Sequence, residues 1–184
     1  MTKQIAIYRA ATVAVASLLL LTAGCRGKHS GEVKNEEPSA PAAILMSQVK
    51  MADQDAAAQL IQGFYPPETG ATWRWTAGKF AVVLKAPLGT AERGGTLSFS
   101  FSLPQPVFQR LGPMTLTAVA GAKKLGTETY KAAGSYTFTA EVPAELLNKG
   151  SVTFDFVLDK SLAPGTVEKR ELGLIATSVG LEAR

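Results

Sequence analysis

Three stretches of two-residue alternation between apolar and polar side chains constrain the fold more than any other feature of the sequence. TLSFSFSL alternates from Leu97 to Leu103, SYTFTAEV from Tyr136 to Val142, and SVTFDFVL from Val152 to Leu158. Because successive side chains of a β-strand point to opposite faces of a sheet, each stretch predicts a strand with one buried face. We therefore expect three half-buried strands whose phenylalanines and leucines share a core.

Other segments complete an all-β pattern. FAVVLKA, from Phe80, predicts a more fully buried strand, MTLTAVAGAKKLGTETY predicts two strands with a turn around 121–124, and ELGLIATSVGLEA predicts the last strand. Glycine- and proline-rich turns separate these segments and leave no room for the crossover helices of a parallel sheet. The sequence thus predicts about seven or eight strands from Trp73 onward. They would form a single antiparallel β-sandwich, of the jelly-roll or carbohydrate-binding-module-like kind.

The beginning of the chain has the organisation of a secretory signal. Lys3 and Arg9 precede an apolar run over 10–21, and small residues follow that run. A membrane-spanning helix needs about 20 apolar residues, so this run is short for a span. The ending LTAGC resembles the lipobox of bacterial lipoproteins. This resemblance implies cleavage before Cys25 and attachment of acyl chains, such as palmitate, to its sulfur and its new amino group.

These features predict three regions along the chain. Residues 1–24 would be the lipoprotein signal peptide, residues 25–43 the lipidated cysteine with a flexible, disordered tether, and residues 44–184 the β-sandwich domain. The tether segment is polar and lacks apolar periodicity, as is typical of disordered segments. Within residues 44–62, two alternatives remain open: a short helix around 56–61, or an irregular approach to the first strand.

The lipobox resemblance also implies where the protein works. It predicts an exported protein that is lipid-anchored to the cell envelope through Cys25. Arg26, rather than aspartate, follows the cysteine. In a Gram-negative organism this favours the outer membrane, at its periplasmic face or at the cell surface.

The balance of charges argues against a nucleic-acid partner. Of the 19 basic residues, Lys3 and Arg9 precede Cys25, whereas all 15 acidic residues follow it. The part from Cys25 onward therefore has 17 basic and 15 acidic residues, which is too balanced for a nucleic-acid-binding surface.

The sequence offers little for catalysis. His29 is the only histidine and Cys25 the only cysteine. Nucleophilic systems that use histidine or cysteine, and common zinc or copper sites, therefore lack their residues. We expect no cofactor, no metal and no enzymatic activity. A remote alternative is a glycoside hydrolase that uses two carboxylates, for which the available acids are Glu68, Asp155, Asp159 and Glu171.

The stretch GFYPPETGATWRWT contains both tryptophans, Trp73 and Trp75, around Arg74. One interpretation is a sugar-binding platform, because exposed indole and phenol rings can stack on pyranose rings; Tyr65 and Glu68 would then contribute. In the other, which the scarcity of aromatic residues favours, both tryptophans belong to the core and seal the open end or the interior of the sandwich. Strand alternation would then turn Arg74 to the other face, where it would pair with Glu171 or Glu68.

A wider resemblance extends from about 60 to 181. GFYPPE, WRWT and the closing KRELGLIATSVGL resemble a β-sandwich domain found beside or within bacterial glycosyltransferases and other cell-surface polysaccharide proteins, and also alone behind lipoprotein signals. The resemblance implies a β-sandwich, and it supplies no established catalytic residues that could be carried over to this chain. Its matching positions are Gly63, Tyr65, Glu68, Arg74, Trp75, Arg170, Glu171, Leu172 and Gly173. Arg74, Arg170 and Glu171 are candidates for structural ion pairs.

These observations lead to one functional expectation and one alternative. The expectation is a lipid-anchored, non-catalytic envelope protein that binds a glycan or an envelope partner, with Tyr65, Glu68, Trp73 and Trp75 as candidate ligand contacts. The alternative is a structural or assembly lipoprotein that docks other proteins through a sheet edge or a loop surface.

Overall fold

Nine antiparallel β-strands make up most of the part of the chain that the computed structural model describes, residues 44–165 and 168–184. They are β1 (Gln48–Lys50), β2 (Leu60–Phe64), β3 (Arg74–Lys85), β4 (Gly95–Leu103), β5 (Met114–Ala120), β6 (Lys123–Tyr130), β7 (Gly134–Val142), β8 (Ser151–Leu158) and β9 (Ile175–Ala183). The predicted signal peptide and tether, with Cys25, lie outside the described residues.

One strand belongs to both halves of the sandwich. Strands β1, β9, β4 and β7 pair in one sheet, and β2, β3, β8, β5 and β6 pair in the other. Strand β3 pairs with β8 along 79–85, and at its beginning, Arg74 and Trp75, it pairs with β9. The two sheets are therefore continuous through β3, and the fold is the all-β antiparallel sandwich that the alternation predicts.

The alternating stretches fill the space between the sheets as expected. Their apolar side chains are buried in β4 and, apart from the half-buried Tyr136, Val152 and Val157, in β7 and β8. At the centre, the ring of Phe80 lies 5.4 Å from that of Phe99 and 5.1 Å from that of Phe156, between centroids. Burial of such rings contributes both apolar area and favourable ring–ring geometry, so this cluster joins the two sheets.

Two short α-helices occur in glycine- and proline-containing segments that were predicted as turns between strands, and both correct the sequence prediction. The segment LPQPVFQRLGP, predicted as a turn, forms α2 (Gln105–Leu111), whereas α1 covers Thr90–Arg93. Pro106 suits the first turn of a helix, where its missing N–H is not needed, and Val107 is buried beneath the helix. Tertiary packing therefore stabilises a helix where the turn residues alone favoured a loop.

The beginning of the domain contains two strands that the prediction missed. A 3-10 helix over Gln54–Ala58 and then β2 occupy the segment for which a helix or an irregular approach was open. Strand β1 has three residues and buries only Val49, and β2 buries none of its residues fully. Neither strand therefore shows an apolar alternation that sequence reasoning could detect.

Gly63 allows β2 to lie close against β3. Its φ is 72°, and a Cβ atom at this position would lie 2.0 Å from the carbonyl oxygen of Lys79. Only glycine fits both the left-handed conformation and this close approach. The contact brings Phe64 opposite Thr76 and directs the following loop across the beginning of β3.

Truncating a central phenylalanine should test the assignment of inward faces. Phe99→Ala or Phe154→Ala should lower the free energy of unfolding by about 3–5 kcal/mol, since each removes a buried ring and leaves a cavity. Urea denaturation measures this change. Leu88→Ala is the control, because Leu88 is 97% exposed. A loss under about 1 kcal/mol for both phenylalanine variants would contradict the assignment.

Candidate functional site

The candidate site lies where the loop after β2 crosses the beginning of β3. The backbone N–H of Tyr65 donates a hydrogen bond to the carbonyl oxygen of Trp75, at 2.9 Å. On its other side, Trp75 lies opposite Ile175 of β9. Backbone pairing therefore places Tyr65, Trp75 and Ile175 side by side, and all three side chains are only partly buried.

Both indoles are partly buried, so neither is enclosed in the core and neither is fully exposed. The rings of Trp73 and Trp75 meet edge to face, with centroids 6.2 Å apart and planes at 89°. Trp75 packs against the edge of the hydrophobic core but is not enclosed by it. Edge-to-face contact stabilises the pair while leaving part of each ring accessible, so the indoles form a partly exposed aromatic cluster.

Arg74 points inward, which corrects the expected ion pair. The residue is 9% exposed, and its Nε–H donates to the carbonyl oxygen of Met51 at 3.1 Å. Among the described residues, no oxygen of Glu171 or Glu68 lies within the 4.0 Å of an ion pair with Arg74. The reason is strand alternation, since Thr76 and Phe80 of β3 are buried on the same side as Arg74.

Arg170 occupies the position at which the sequence suggested an ion pair, and it contacts the loop after β2. Its Nη2 atom lies 3.2 Å from Oε1 of Glu68 and 2.8 Å from Oε2 of Glu168. Its guanidinium carbon also lies 5.4 Å from the centroid of the Tyr65 ring. A guanidinium at this distance from a ring is attracted by the ring's negative face. Arg170 thus joins Tyr65 and Glu68 in one surface cluster.

Glu168 holds Arg170 in place more firmly than Glu68 does. Its Oε1 atom accepts hydrogen bonds from the backbone N–H of Arg170 at 2.8 Å and from Nε at 2.9 Å. These hydrogen bonds lower the pKa of Glu168 to about 2, and the same contacts raise the pKa of Arg170. Glu168 was not among the site residues predicted from the sequence. The pattern Glu168-x-Arg170 was the available signal, since a glutamate two residues before an arginine can fold back onto it.

Glu171 has a different role from the one expected. Its Oε1 atom accepts a hydrogen bond from the hydroxyl of Ser161 and lies 2.7 Å from where a Cβ of Gly78 would be. The carboxylate thus lies against the backbone of β3 at Gly78, where there is no side chain to exclude it. Gly173 makes a similar approach, since its N–H donates to the carbonyl of Thr76 at 2.7 Å. Glu171 and Gly173 therefore fix the segment before β9 against β3.

The remaining acids considered for hydrolysis lie on other elements. Asp155 is on β8, opposite Ala81 of β3, and is partly exposed. The carboxylate of Asp159 accepts a hydrogen bond from the backbone N–H of Thr115 at 2.8 Å. Within residues 44–165 and 168–184, no group of three histidine, cysteine or acidic residues could hold a metal ion. In the same ranges, no helix has the length and apolar character to cross a membrane.

The solved structures that are similar to this chain include two carbohydrate-binding modules. No protein-family model matches the chain, and no curated protein sequence matches it either. The mannan-recognising carbohydrate-binding module TmCBM27 aligns with a TM-score of 0.44 and 12% identity, over 77% of this chain and 98% of its own. The C-terminal family 6 module of LamC, a laminarinase from Zobellia galactanivorans, gives 0.39 and 11%, over 73% and 98%.

Removing the guanidinium of Arg170 should release Glu168. Because its pKa is low in the folded state, ionised Glu168 stabilises the fold at pH values above its ordinary pKa near 4.5. This contribution to the free energy of unfolding is lost as the pH falls through about 2. In Arg170→Gln, the pKa of Glu168 should rise toward its ordinary value. Carboxyl-detected NMR titration measures it. Glu145, whose pKa is lowered by Lys123, is the internal control and should not change. An unchanged Glu168 pKa would contradict the assignment.

Proposed function

We propose that the protein is a lipid-anchored, non-catalytic component of the cell envelope whose β-sandwich binds a glycan. The observation that carries this proposal is the partly exposed cluster of Trp73 and Trp75, with Tyr65 beside it at the start of the loop after β2. A soluble domain with only two tryptophans would gain most stability by burying them. Their partial exposure supports a binding role for this cluster.

The chemistry of the cluster suits a carbohydrate. The C–H faces of pyranose rings are apolar and can lie against indole or phenol rings, which are flat and lose little entropy on binding. Sugar hydroxyls need hydrogen-bond partners at the rim of such a platform. Glu68, which is exposed and contacts Arg170, offers carboxylate oxygens, and Arg170 offers N–H groups beside Tyr65. The ion pair keeps both groups oriented before a ligand arrives.

A groove next to Arg170 adds to this surface. Its volume is about 310 Å³, and Arg110, Leu162, Glu168, Arg170 and Leu172 contribute to its lining. The mixture of leucine and charged side chains suits a sugar unit, which has both an apolar face and hydroxyl groups. The groove and the aromatic cluster share the Arg170 region, so one oligosaccharide could contact both.

Membrane attachment through Cys25 is the second part of the proposal, and the lipobox resemblance supports it. Several acyl chains on one residue give stable anchoring, since each buried CH₂ group contributes about 0.8 kcal/mol. The polar segment after Cys25 would separate the sandwich from the membrane. In a Gram-negative cell, Arg26 favours the outer membrane as the destination.

Glycan binding should depend on the aromatic cluster. Trp73→Ala should weaken binding at least about tenfold, since it removes one stacking surface, and Tyr65→Ala should also weaken it. Isothermal titration of the purified full-length chain against envelope polysaccharides measures the affinity. Leu88→Ala removes an exposed apolar side chain beyond the far end of β3 and should leave the affinity unchanged.

Two outcomes would overturn the glycan assignment. One is that no envelope polysaccharide tested gives a heat of binding in the titration or shifts the electrophoretic mobility of the protein. The other is a reproducible protein partner, captured by crosslinking in membranes, with unchanged capture in Trp73→Ala. That second result would favour the docking alternative.

Replacing the lipidated residue should release the protein from membranes. Cys25→Ser removes the sulfur to which an acyl chain is attached, so the protein should leave the membrane fraction and lose incorporation of labelled palmitate. Fractionation and metabolic labelling measure these changes. Ser30→Ala, a substitution that leaves Cys25 intact, is the control. This variant should fractionate as the unaltered chain does. Unchanged palmitate incorporation in Cys25→Ser would exclude this anchor.

A further inference from the structure

Arg74 stands apart from every other charged residue in the described part of the chain because it is buried. The residue is 9% exposed, whereas the other buried polar residues, Gln59, Thr76 and Thr90, are neutral. A buried charge is costly unless an opposite charge or a set of hydrogen bonds compensates it. The question is therefore which groups compensate the buried charge of Arg74.

The protein compensates Arg74 only in part. Its Nε–H donates to the carbonyl oxygen of Met51 at 3.1 Å, and this is its one side-chain hydrogen bond to a described residue. Its two Nη groups have no acceptor among those residues, and no carboxylate oxygen there lies within 4.0 Å. Asp53 and Asp55, which follow Met51 in the chain, are exposed and do not pair with it.

The end of the guanidinium is nevertheless accessible. In the described residues, no fully enclosed side-chain nitrogen or oxygen lacks a hydrogen-bond partner. The unpartnered Nη groups of Arg74 must therefore reach the molecular surface, although most of the side chain is covered. Arg74 thus exposes part of its guanidinium, although most of the residue is covered.

The surrounding backbone holds this guanidinium in a fixed position. Met51 is fully buried, and its N–H donates to the carbonyl oxygen of Thr177 at 2.9 Å. Arg74 itself pairs with Ala176 in the β3–β9 ladder. Both ends of the Arg74 side chain are therefore attached to the same region of β9. A guanidinium that is already oriented loses little entropy when it binds a ligand.

We propose that Arg74 is an anion-binding site, which takes a carboxylate or phosphate group through its two Nη donors. A planar guanidinium binds such groups through two parallel hydrogen bonds, and partial desolvation strengthens them. Resting on the proposed glycan function, the ligand is an acidic sugar, a uronate or a phosphorylated sugar. Arg74 lies on the opposite face of β3 from Trp75, so it binds a separate part of the ligand or a separate ligand.

The test follows the Arg74 side chain directly. In the full-length chain labelled with ¹⁵N-arginine, the Nε–Hε resonance of Arg74 is assigned by its loss in Arg74→Lys. The chain is then titrated with a galacturonate oligosaccharide, with the matching neutral galactose oligosaccharide and with inorganic phosphate. We expect a saturable shift of this resonance with galacturonate, with phosphate or with both, and none with the neutral sugar. The two anions distinguish a carboxylate ligand from a phosphate ligand.

The affinity of variants for the anions tests the same site. Arg74→Lys keeps the charge but loses the two-pronged donor, so it should weaken anion binding at least about tenfold. Arg93→Lys, at an exposed arginine on α1, should change it less than about twofold. If Arg74→Lys does not fold, the resonance is assigned from triple-resonance spectra and the wild-type titration decides.

The outcomes separate this site from the proposed function. No shift of the Arg74 resonance with either anion at 10 mM, about a hundredfold above a 0.1 mM dissociation constant, would overturn the anion site. Neutral-glycan binding that depends on Trp73 would then leave the proposed function standing. A phosphate shift without affinity for any glycan would support the anion site and remove the proposed function. Equal affinities in Arg74→Lys and wild type would also overturn the site.

Discussion

The participation of β3 in both sheets is the constraint on which the rest of the structure depends. Because Phe80, Val82 and Leu84 must face the core between the sheets, their alternation continues without interruption to the beginning of the strand. Thr76 and Arg74 are consequently buried, and Trp75 faces outward. The hydroxyl of Thr76 accepts a hydrogen bond from the N–H of Leu174 at 3.0 Å, which gives one inward polar group a partner.

Sequence reasoning predicted the central strands and failed at the beginning of β3, for one physical reason. TLSFSFSL, SYTFTAEV and SVTFDFVL alternate over whole strands, so burial of large apolar side chains decides each face. In WRWT, hydrophobicity favoured burying the tryptophans. The longer strand outweighed that local preference, because reversing it would have turned Phe80 out of the core. Extending the alternation of FAVVL backward would have placed Arg74 inward from the sequence alone.

The sequence predicted several residues of the surface cluster, but it did not predict that they contact one another. Tyr65, Glu68 and Arg170 were selected from the sequence, but their contact depends on a pairing across 102 residues between Glu68 and Arg170. No local pattern specifies such a distance. Glu68 was expected near Arg74, yet Arg74 lies on the covered face of β3, and the exposed Arg170 takes this glutamate instead. The orientation of β3 therefore decides that Arg170 is the arginine paired with Glu68, whereas Arg74 remains open to a ligand.

The orientation of the two indoles tests this account most directly. Acrylamide quenching of tryptophan fluorescence, measured in Trp73→Phe and Trp75→Phe, reports each remaining indole separately. An outward orientation predicts quenching constants between those of a free and an enclosed indole for both residues. Protection from acrylamide as complete as that of an enclosed core tryptophan, in both variants, would contradict the outward orientation and the inward orientation of Arg74 with it.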